Sequence, residues 1–314
     1  MPLWAVLGPT VAQGRVASGR GWWRNQADGA SPAVARSEEI PMLKFRSMAL
    51  LAGVALLGTA CGGPEASETQ APKMTWEEFR ASAVQDPEGK WIFDMDQSVD
   101  NEEELRAYFD NNVTPDQGKS HEGLAVYNVG GGAANDRKWS ATQKGNLTYC
   151  ISNTFGTTNK AKLVTAMNSA TAAWEATASV NFIHSTSYDA SCTASQAGVL
   201  FDVRPVNSGG QYLARAFFPG SARSGRNVLV DNTAFGSIAP WTLAGILRHE
   251  LGHVLGFRHE HTRQSTPCFE DNNWRALTAY DRSSVMHYPQ CNGTQTGDLI
   301  LTSLDKTGAR ALYP

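Results

Sequence analysis

The sequence predicts an α+β fold for residues 139–314, with helices packed on one twisted sheet. Two stretches have helical patterning, and several strand-like runs lie between them. In residues 159–178, Leu163, Met167 and Trp174 recur at helical spacing. Such an apolar stripe is typical of a helix that buries one face in a core, so we interpret these residues as structural.

The second predicted helix covers residues 240–256 and is preceded by strands. It opens with Pro240, which suits a first helical turn, contains no further proline and ends at Gly256. Short runs rich in apolar and β-branched residues predict the strands. These runs lie at residues 146–151, 180–183, 199–203, 211–218 and 227–230.

The chain before this domain begins with a region that has the pattern of a targeting signal. In residues 42–61, a basic start, a short apolar run and small residues lead to Cys61. The pattern resembles a bacterial lipoprotein signal, which implies export to the cell envelope or secretion, and a membrane tether through a lipid on Cys61. The alternative is a buried apolar helix beside a loop cysteine. Residues 1–41 form an upstream extension to which we assign no function.

Residues 62–138 predict a polar linker followed by a small folded segment. Residues 75–84 and 101–112 have the pattern of short amphipathic helices, and residues 90–96 between them favour a strand. A run of glycines at residues 130–132 then breaks the pattern. We therefore place a domain boundary after Lys138 and interpret the preceding segment as a propeptide.

Charge and cysteine content limit the partners and the compartment. The 27 Lys and Arg residues and 30 Asp and Glu residues give a net charge of −3, which excludes a strong electrostatic attraction to nucleic acid. Apart from Cys61 there are four cysteines, an even number that suits an oxidising compartment. Three pairings are possible. We favour Cys150–Cys192 and Cys268–Cys291 because each closes a loop inside one presumed lobe.

The second predicted helix contains a cluster of histidine and glutamate. His249 and His253 are four residues apart, which places both imidazoles on one helix face. Glu250 lies beside them as a candidate general base, Gly256 can end the helix sharply, and His259 can then return as a third ligand. Three imidazoles with one open position are typical of a catalytic zinc site. The implied reaction is peptide-bond hydrolysis by water that zinc activates.

The extended pattern H-E-x-x-H-x-x-G-x-x-H and the later "SVMHY" resemble the metzincin zinc peptidases. The resemblance implies one catalytic Zn²⁺, protein or peptide substrates, and Met286 as an apolar floor below the metal. It also implies a mostly parallel sheet with an antiparallel edge strand, an active-site helix and a small C-terminal lobe. Residues 211–220 would then supply the edge strand that pairs with substrate, although they also suit an ordinary sheet strand.

Two stretches, "GFRHEHTR" and "YDRSSVMHY", resemble the astacin branch of this group. The "HEH" in the first stretch is closer still to the bacterial dual-action HEIGH metallopeptidases, although this motif is HELGH. By that resemblance Tyr288 serves as a fifth metal ligand or as a hydrogen-bond donor to the transition state. "FDMD" is loosely similar to the astacin latency motif, which implies that Asp96 blocks the zinc. A solvated loop carboxylate is the alternative for Asp96. His261 is interpreted as a surface or supporting residue.

Three other interpretations remain open. A lone H-E-x-x-H also occurs on solvated helix faces, where it binds nothing. The chain would alternatively be a zinc-containing surface lipoprotein that acts as a binding module without catalysis, although Glu250 is not needed for that role. A gluzincin-type peptidase would instead take its third ligand from a downstream glutamate such as Glu270.

Overall fold

The computed structural model describes residues 74–94, 96–113, 124–263, 273–295 and 297–314. The signal-like segment, Cys61, Cys268 and Glu270 lie outside these residues. Within the described part of the chain, no helix is long and apolar enough to cross a membrane.

Six α-helices and ten strands form in the described residues. In chain order they are α1 (Trp76–Ser82), β1 (Val84–Gln85), β2 (Trp91–Phe93), β3 (Gln97–Val99), α2 (Glu102–Asn112), β4 (Ala125–Tyr127), α3 (Ala141–Lys144), β5 (Leu147–Ile151), α4 (Gly156–Glu175), β6 (Phe182–His184), β7 (Phe201–Val206), β8 (Ala214–Arg215), β9 (Asn227–Asp231), α5 (Leu243–Val254), β10 (Trp274–Ala276) and α6 (Ser303–Leu312).

The main sheet has five strands in the order β6-β5-β7-β9-β8. The first four strands are parallel, and β8 pairs antiparallel with β9 through Arg215 opposite Leu229. The strand at this edge lies within residues 211–218. The structure therefore confirms the predicted α+β class and the mostly parallel sheet with an antiparallel edge strand.

Helices α4 and α5 pack together on one face of this sheet. Leu163, Met167 and Trp174 are all fully buried in the main core, as the helical stripe predicts. The Trp174 indole N–H donates to the carbonyl oxygen of Arg248 at 2.9 Å, so the long helix is fastened directly to the helix that bears the motif. Burying this aromatic ring together with a satisfied N–H favours one packing arrangement.

Helix α5 begins at Leu243, and the prediction that it begins at Pro240 is wrong. Thr242 caps the helix, since its Oγ1 accepts a hydrogen bond from Gly245 N at 3.0 Å. The other end agrees with the sequence. Gly256 has φ +99°, and a Cβ there would lie 2.1 Å from the Arg137 carbonyl oxygen. Only glycine can make this turn without displacing the backbone.

The N-terminal segment, residues 74–113, has a small core of its own. Phe79, Phe93 and Leu105 are buried together between its two helices and its three short antiparallel strands. The sequence predicted the helices and β2 but not β1 or β3. Those two strands are two and three residues long and carry polar side chains, so the sequence shows no alternation of apolar and polar residues there.

Strand β4 lies before the predicted boundary at Lys138 but pairs with β10 near the end of the chain. Its backbone also bonds to the segment that follows α5: Arg258 N donates to Ala125 O at 2.8 Å, and Tyr127 N donates to Gly256 O at 2.8 Å. Leu124 and Val126 are buried in the main core.

We predict that a chain beginning at Trp139 is less stable than one beginning at Leu124. Losing the burial of Leu124 and Val126 should lower the free energy of unfolding by roughly 3–6 kcal/mol. Urea unfolding followed by tryptophan fluorescence measures the difference. Equal unfolding free energies for the two chains would show that β4 is dispensable to the domain.

Two disulfides involve described residues. Cys150 and Cys192 are joined across 42 residues, with a Cα–Cα distance of 5.7 Å. Cys291 is also disulfide-bonded. The pairing of Cys291 with Cys268 stays a prediction.

Candidate metal centre

Three imidazole nitrogens converge at the C-terminal half of α5. His249 and His253 project from one face of the helix, and His259 returns to them after the turn at Gly256. The His259 Nε2 atom lies 3.2 Å from His249 Nε2 and 3.1 Å from His253 Nε2. All three side chains are buried. Together with Asp96, they are the one group among the described residues whose donor atoms are close enough to hold a metal ion.

The partners of the other ring nitrogens fix which nitrogen faces the centre. His249 Nδ1 lies 2.7 Å from the Val285 carbonyl oxygen, and His253 Nδ1 lies 2.8 Å from the Phe257 carbonyl oxygen. A carbonyl oxygen only accepts, so each Nδ1 must carry the proton and each Nε2 must present a lone pair. Burial also lowers the pKa of His253 to about 4, although the Asp96 carboxylate opposes this shift.

This donor set fits a divalent zinc ion. His259 Nε2 lies 3.1–3.2 Å from the Nε2 atoms of His249 and His253, a spacing that a shared cation would satisfy. Tetrahedral zinc with bonds of about 2.0–2.1 Å would separate two nitrogens by about 3.4 Å, which is close to the distances found. The chemistry of the donors and their spacing therefore fit a zinc ion.

Glu250 is buried beside the histidines but is not one of the converging groups. Among the described residues its Oε2 atom has no hydrogen-bond partner. Burial raises the pKa of Glu250 well above the usual carboxyl value, and the Asp96 carboxylate raises it further. A carboxylate with a raised pKa and an unpartnered oxygen is well suited to accept a proton.

Met286 is fully buried and packs against helix α5 at Gly252. A Cβ on Gly252 would lie only 2.3 Å from Met286 Sδ, so this helix glycine is needed for close packing against the turn. The Met286 carbonyl also accepts a hydrogen bond from Glu260 N at 2.8 Å, which fixes the turn to the residue after His259.

Asp96 and Tyr288 complete the group around the imidazoles. Asp96 Oδ2 lies 3.3, 3.5 and 3.2 Å from the Nε2 atoms of His249, His253 and His259. The Tyr288 hydroxyl donates to the same Oδ2 atom at 2.5 Å. The carboxylate oxygen therefore lies where the three Nε2 atoms converge. Asp96 is buried, unlike the solvated loop carboxylate that the sequence left as its alternative.

Several supporting residues had no clear signal in the sequence. His261 is buried and stacks on both His259 and Tyr288, with ring centroids 4.8 and 4.7 Å apart. Asp305 accepts hydrogen bonds from Ser284 Oγ and Val285 N at 2.5 and 2.9 Å, and so holds the turn whose carbonyl orients His249. Asp305 reads as an ordinary helix-capping residue from sequence, because its contact with the turn depends on tertiary packing.

Glu260, the residue after His259, is also buried. Glu260 Oε1 accepts hydrogen bonds from Arg263 Nη1 at 3.0 Å and from Asp281 N at 2.9 Å. His184 pairs with Asp189 at 3.0 Å and belongs to a different part of the fold.

An H-E-x-x-H helix packed on a mostly parallel sheet, a third histidine after a glycine turn and a buried methionine turn are features of metzincin-type peptidase domains. Residues 138–288 match the family model Peptidase_M10, described as matrixin. These residues contain the motif helix, His259, Met286 and Tyr288.

Curated relatives resemble shorter parts of the chain. High choriolytic enzyme 2 from Oryzias latipes is 37% identical over 62 residues, which cover 14% of this chain and 22% of the relative. An astacin-like metalloendopeptidase from Mus musculus is 38% identical over 91 residues, which cover 23% of this chain and 20% of the relative. The matched parts thus span less than a quarter of these relatives.

A solved structure aligns over a larger part of the chain. It is high choriolytic enzyme 1, a hatching enzyme zinc-protease from Oryzias latipes, with 20% identity and a TM-score of 0.40. The alignment covers 59% of this chain and 98% of that one.

Proposed function

We propose that the chain is a zinc-dependent endopeptidase that hydrolyses extended protein or peptide substrates. The observation that carries the proposal is the convergence of three Nε2 atoms beside a buried glutamate, with His259 Nε2 lying 3.2 Å from His249 Nε2 and 3.1 Å from His253 Nε2. His249, His253 and His259 are the proposed ligands of one zinc ion, and Met286 packs below them.

The residues around this centre have distinct proposed roles. When bound, zinc supplies a Lewis acid that polarises the substrate carbonyl and lowers the pKa of water. Glu250 accepts the proton of the attacking water and delivers it to the leaving amine, in keeping with its raised pKa. Tyr288 donates its hydroxyl proton in a hydrogen bond to the oxyanion, or reaches the zinc as a fifth ligand.

The free edge of β8 is the proposed site of substrate pairing. Because β8 is the last strand of the sheet, one side of its backbone has no neighbouring strand in that sheet. An extended peptide can add to such an edge as a further antiparallel strand. Phe218, just after β8, contacts the His253 ring with centroids 5.2 Å apart, which supports a cleft between this edge and the metal centre.

The N-terminal segment is proposed to keep the site latent until it is removed. Asp96 lies within 3.5 Å of all three proposed ligands, where it would take the open coordination position that water needs. We further propose that the protein is exported, with cleavage before Cys61 and a lipid tether there, as the signal-like pattern of residues 42–61 indicates.

Metal analysis and a peptide library test the proposed activity. The full-length protein and the product of its limited proteolysis are each assayed for bound zinc and for cleavage of a mixed peptide library. We expect one zinc per chain, and cleavage by the processed form that stops with a chelator and returns with added zinc. Zinc binding without any cleavage would instead favour the non-catalytic surface lipoprotein.

A further inference from the structure

We propose that the N-terminal segment docks on the peptidase domain through a second contact, separate from Asp96. This contact is the buried ion pair between Asp86 and Arg215, set in an apolar surface on the sheet. This proposal rests on the proposed latency, because it names the contact that holds the inhibitory segment in place.

Arg215 lies on β8, and its guanidinium is completely buried under the N-terminal segment. Its Nη2 and Nε atoms donate to Asp86 Oδ2 at 2.7 and 3.0 Å. The Asp86 carboxylate is also completely buried, and the Tyr212 hydroxyl donates to the same oxygen at 3.4 Å. Two opposite charges are therefore held together away from solvent.

Most partners of Arg215 belong to the segment that is proposed to leave. Ser98 Oγ lies 3.5 Å from Nη1, and Glu88 Oε2 lies 4.0 Å from Nη2. Asn227, on β9, supplies a partner from the peptidase domain, with its Oδ1 atom 2.8 Å from Nη1. The arginine is thus satisfied in the docked state mainly by groups that depart on release.

An apolar contact surrounds the ion pair. Ile92 of β2 is buried against Val206, Tyr212 and Leu229 of the main domain, with Val84 packed beside them. These side chains form a cluster separate from the core of the N-terminal segment and from the main core. The segment therefore covers a continuous patch of the sheet around β8, the strand to which substrate is proposed to add.

The ion pair makes docking selective. In the undocked state water can solvate both charges, so the pair itself adds little net affinity. Removing only one charge is different, because docking would then bury an uncompensated guanidinium. The surface consequently accepts a segment with a carboxylate at this position and rejects one without it.

Hydrogen exchange of the uncut, full-length protein tests this contact. In Asp86→Asn, amide exchange in peptides covering residues 84–99 should be about tenfold faster or more, because docking would bury the Arg215 guanidinium without a compensating negative charge. Peptides from α4 should exchange at the wild-type rate, which shows that the peptidase domain remains folded. The uncut variant should also have higher residual peptide cleavage than the uncut wild type.

The matched control is Glu102→Gln. Glu102 pairs with Arg80 within the N-terminal segment, but this pair is exposed, with 46% and 43% of the two side chains accessible. Its loss should change exchange in residues 84–99 by less than about twofold. Equal exchange in the Asp86→Asn and Glu102→Gln variants would refute the proposed contact.

A double variant, Asp86→Asn with Arg215→Gln, covers the case in which the single variant unfolds. With both charges removed, docking buries no uncompensated charge, and the protection of residues 84–99 from amide exchange should return towards that of the wild type. Failure to regain protection in a folded double variant would count against the ion pair. Faster exchange in Asp86→Asn, with no peptide cleavage by any form, would support the docking contact while overturning the proposed peptidase function.

Discussion

Replacing Glu250 by Gln is expected to lower kcat/KM for peptide cleavage by about 10²–10⁴-fold, the range that a positioned general base contributes. The Gln side chain has nearly the same shape but cannot accept the proton of the attacking water. The proposed zinc ligands are other residues, so bound zinc should remain at one per chain. The measurement compares kcat/KM of the processed wild type and variant on one peptide from the library.

Glu175→Gln is the matched control. Glu175 lies on α4, and its Oε1 atom accepts a hydrogen bond from Phe182 N at 2.7 Å, a contact that a Gln oxygen can also make. This variant should cleave at the wild-type rate. A Glu250→Gln protein that keeps zinc and cleaves as fast as this control would remove Glu250 from the mechanism.

Replacing His259 by Ala is expected to abolish cleavage and to weaken zinc binding by more than about 100-fold. Changing a group that only orients a zinc ligand already costs up to about that much affinity, and this variant removes a proposed ligand itself. Competition with a chromophoric chelator measures the affinity. Activity and zinc content are assayed on the same preparations, so that loss of metal and loss of catalysis can be compared.

His184→Ala is the control for this variant, since His184 pairs with Asp189 away from the centre. It should keep its zinc and its activity. Retained zinc affinity and activity in His259→Ala would overturn the three-histidine assignment. That result would favour a gluzincin-type third ligand such as Glu270.

The sequence by itself determined the elements that depend on local spacing. His249 and His253 share a face because four residues make about one helical turn. Leu163, Met167 and Trp174 are buried together for the same reason. Gly256 reverses the chain because it alone tolerates the required backbone angle and the nearby Arg137 carbonyl. The mostly parallel sheet was inferred from a family resemblance, and the structure confirms it.

Only the tertiary structure decided which distant groups meet. The lone pair of His249 is directed inward by the Val285 carbonyl, 36 residues away, and that carbonyl is held by Asp305. Asp86 reaches Arg215 across 129 residues, and Asp96 reaches His249 across 153. No periodicity in a single sequence encodes such pairs, because they form when separate elements pack face to face. The sequence therefore predicted the chemistry of the centre, while packing determined the orientation of its histidines and the groups that cover it.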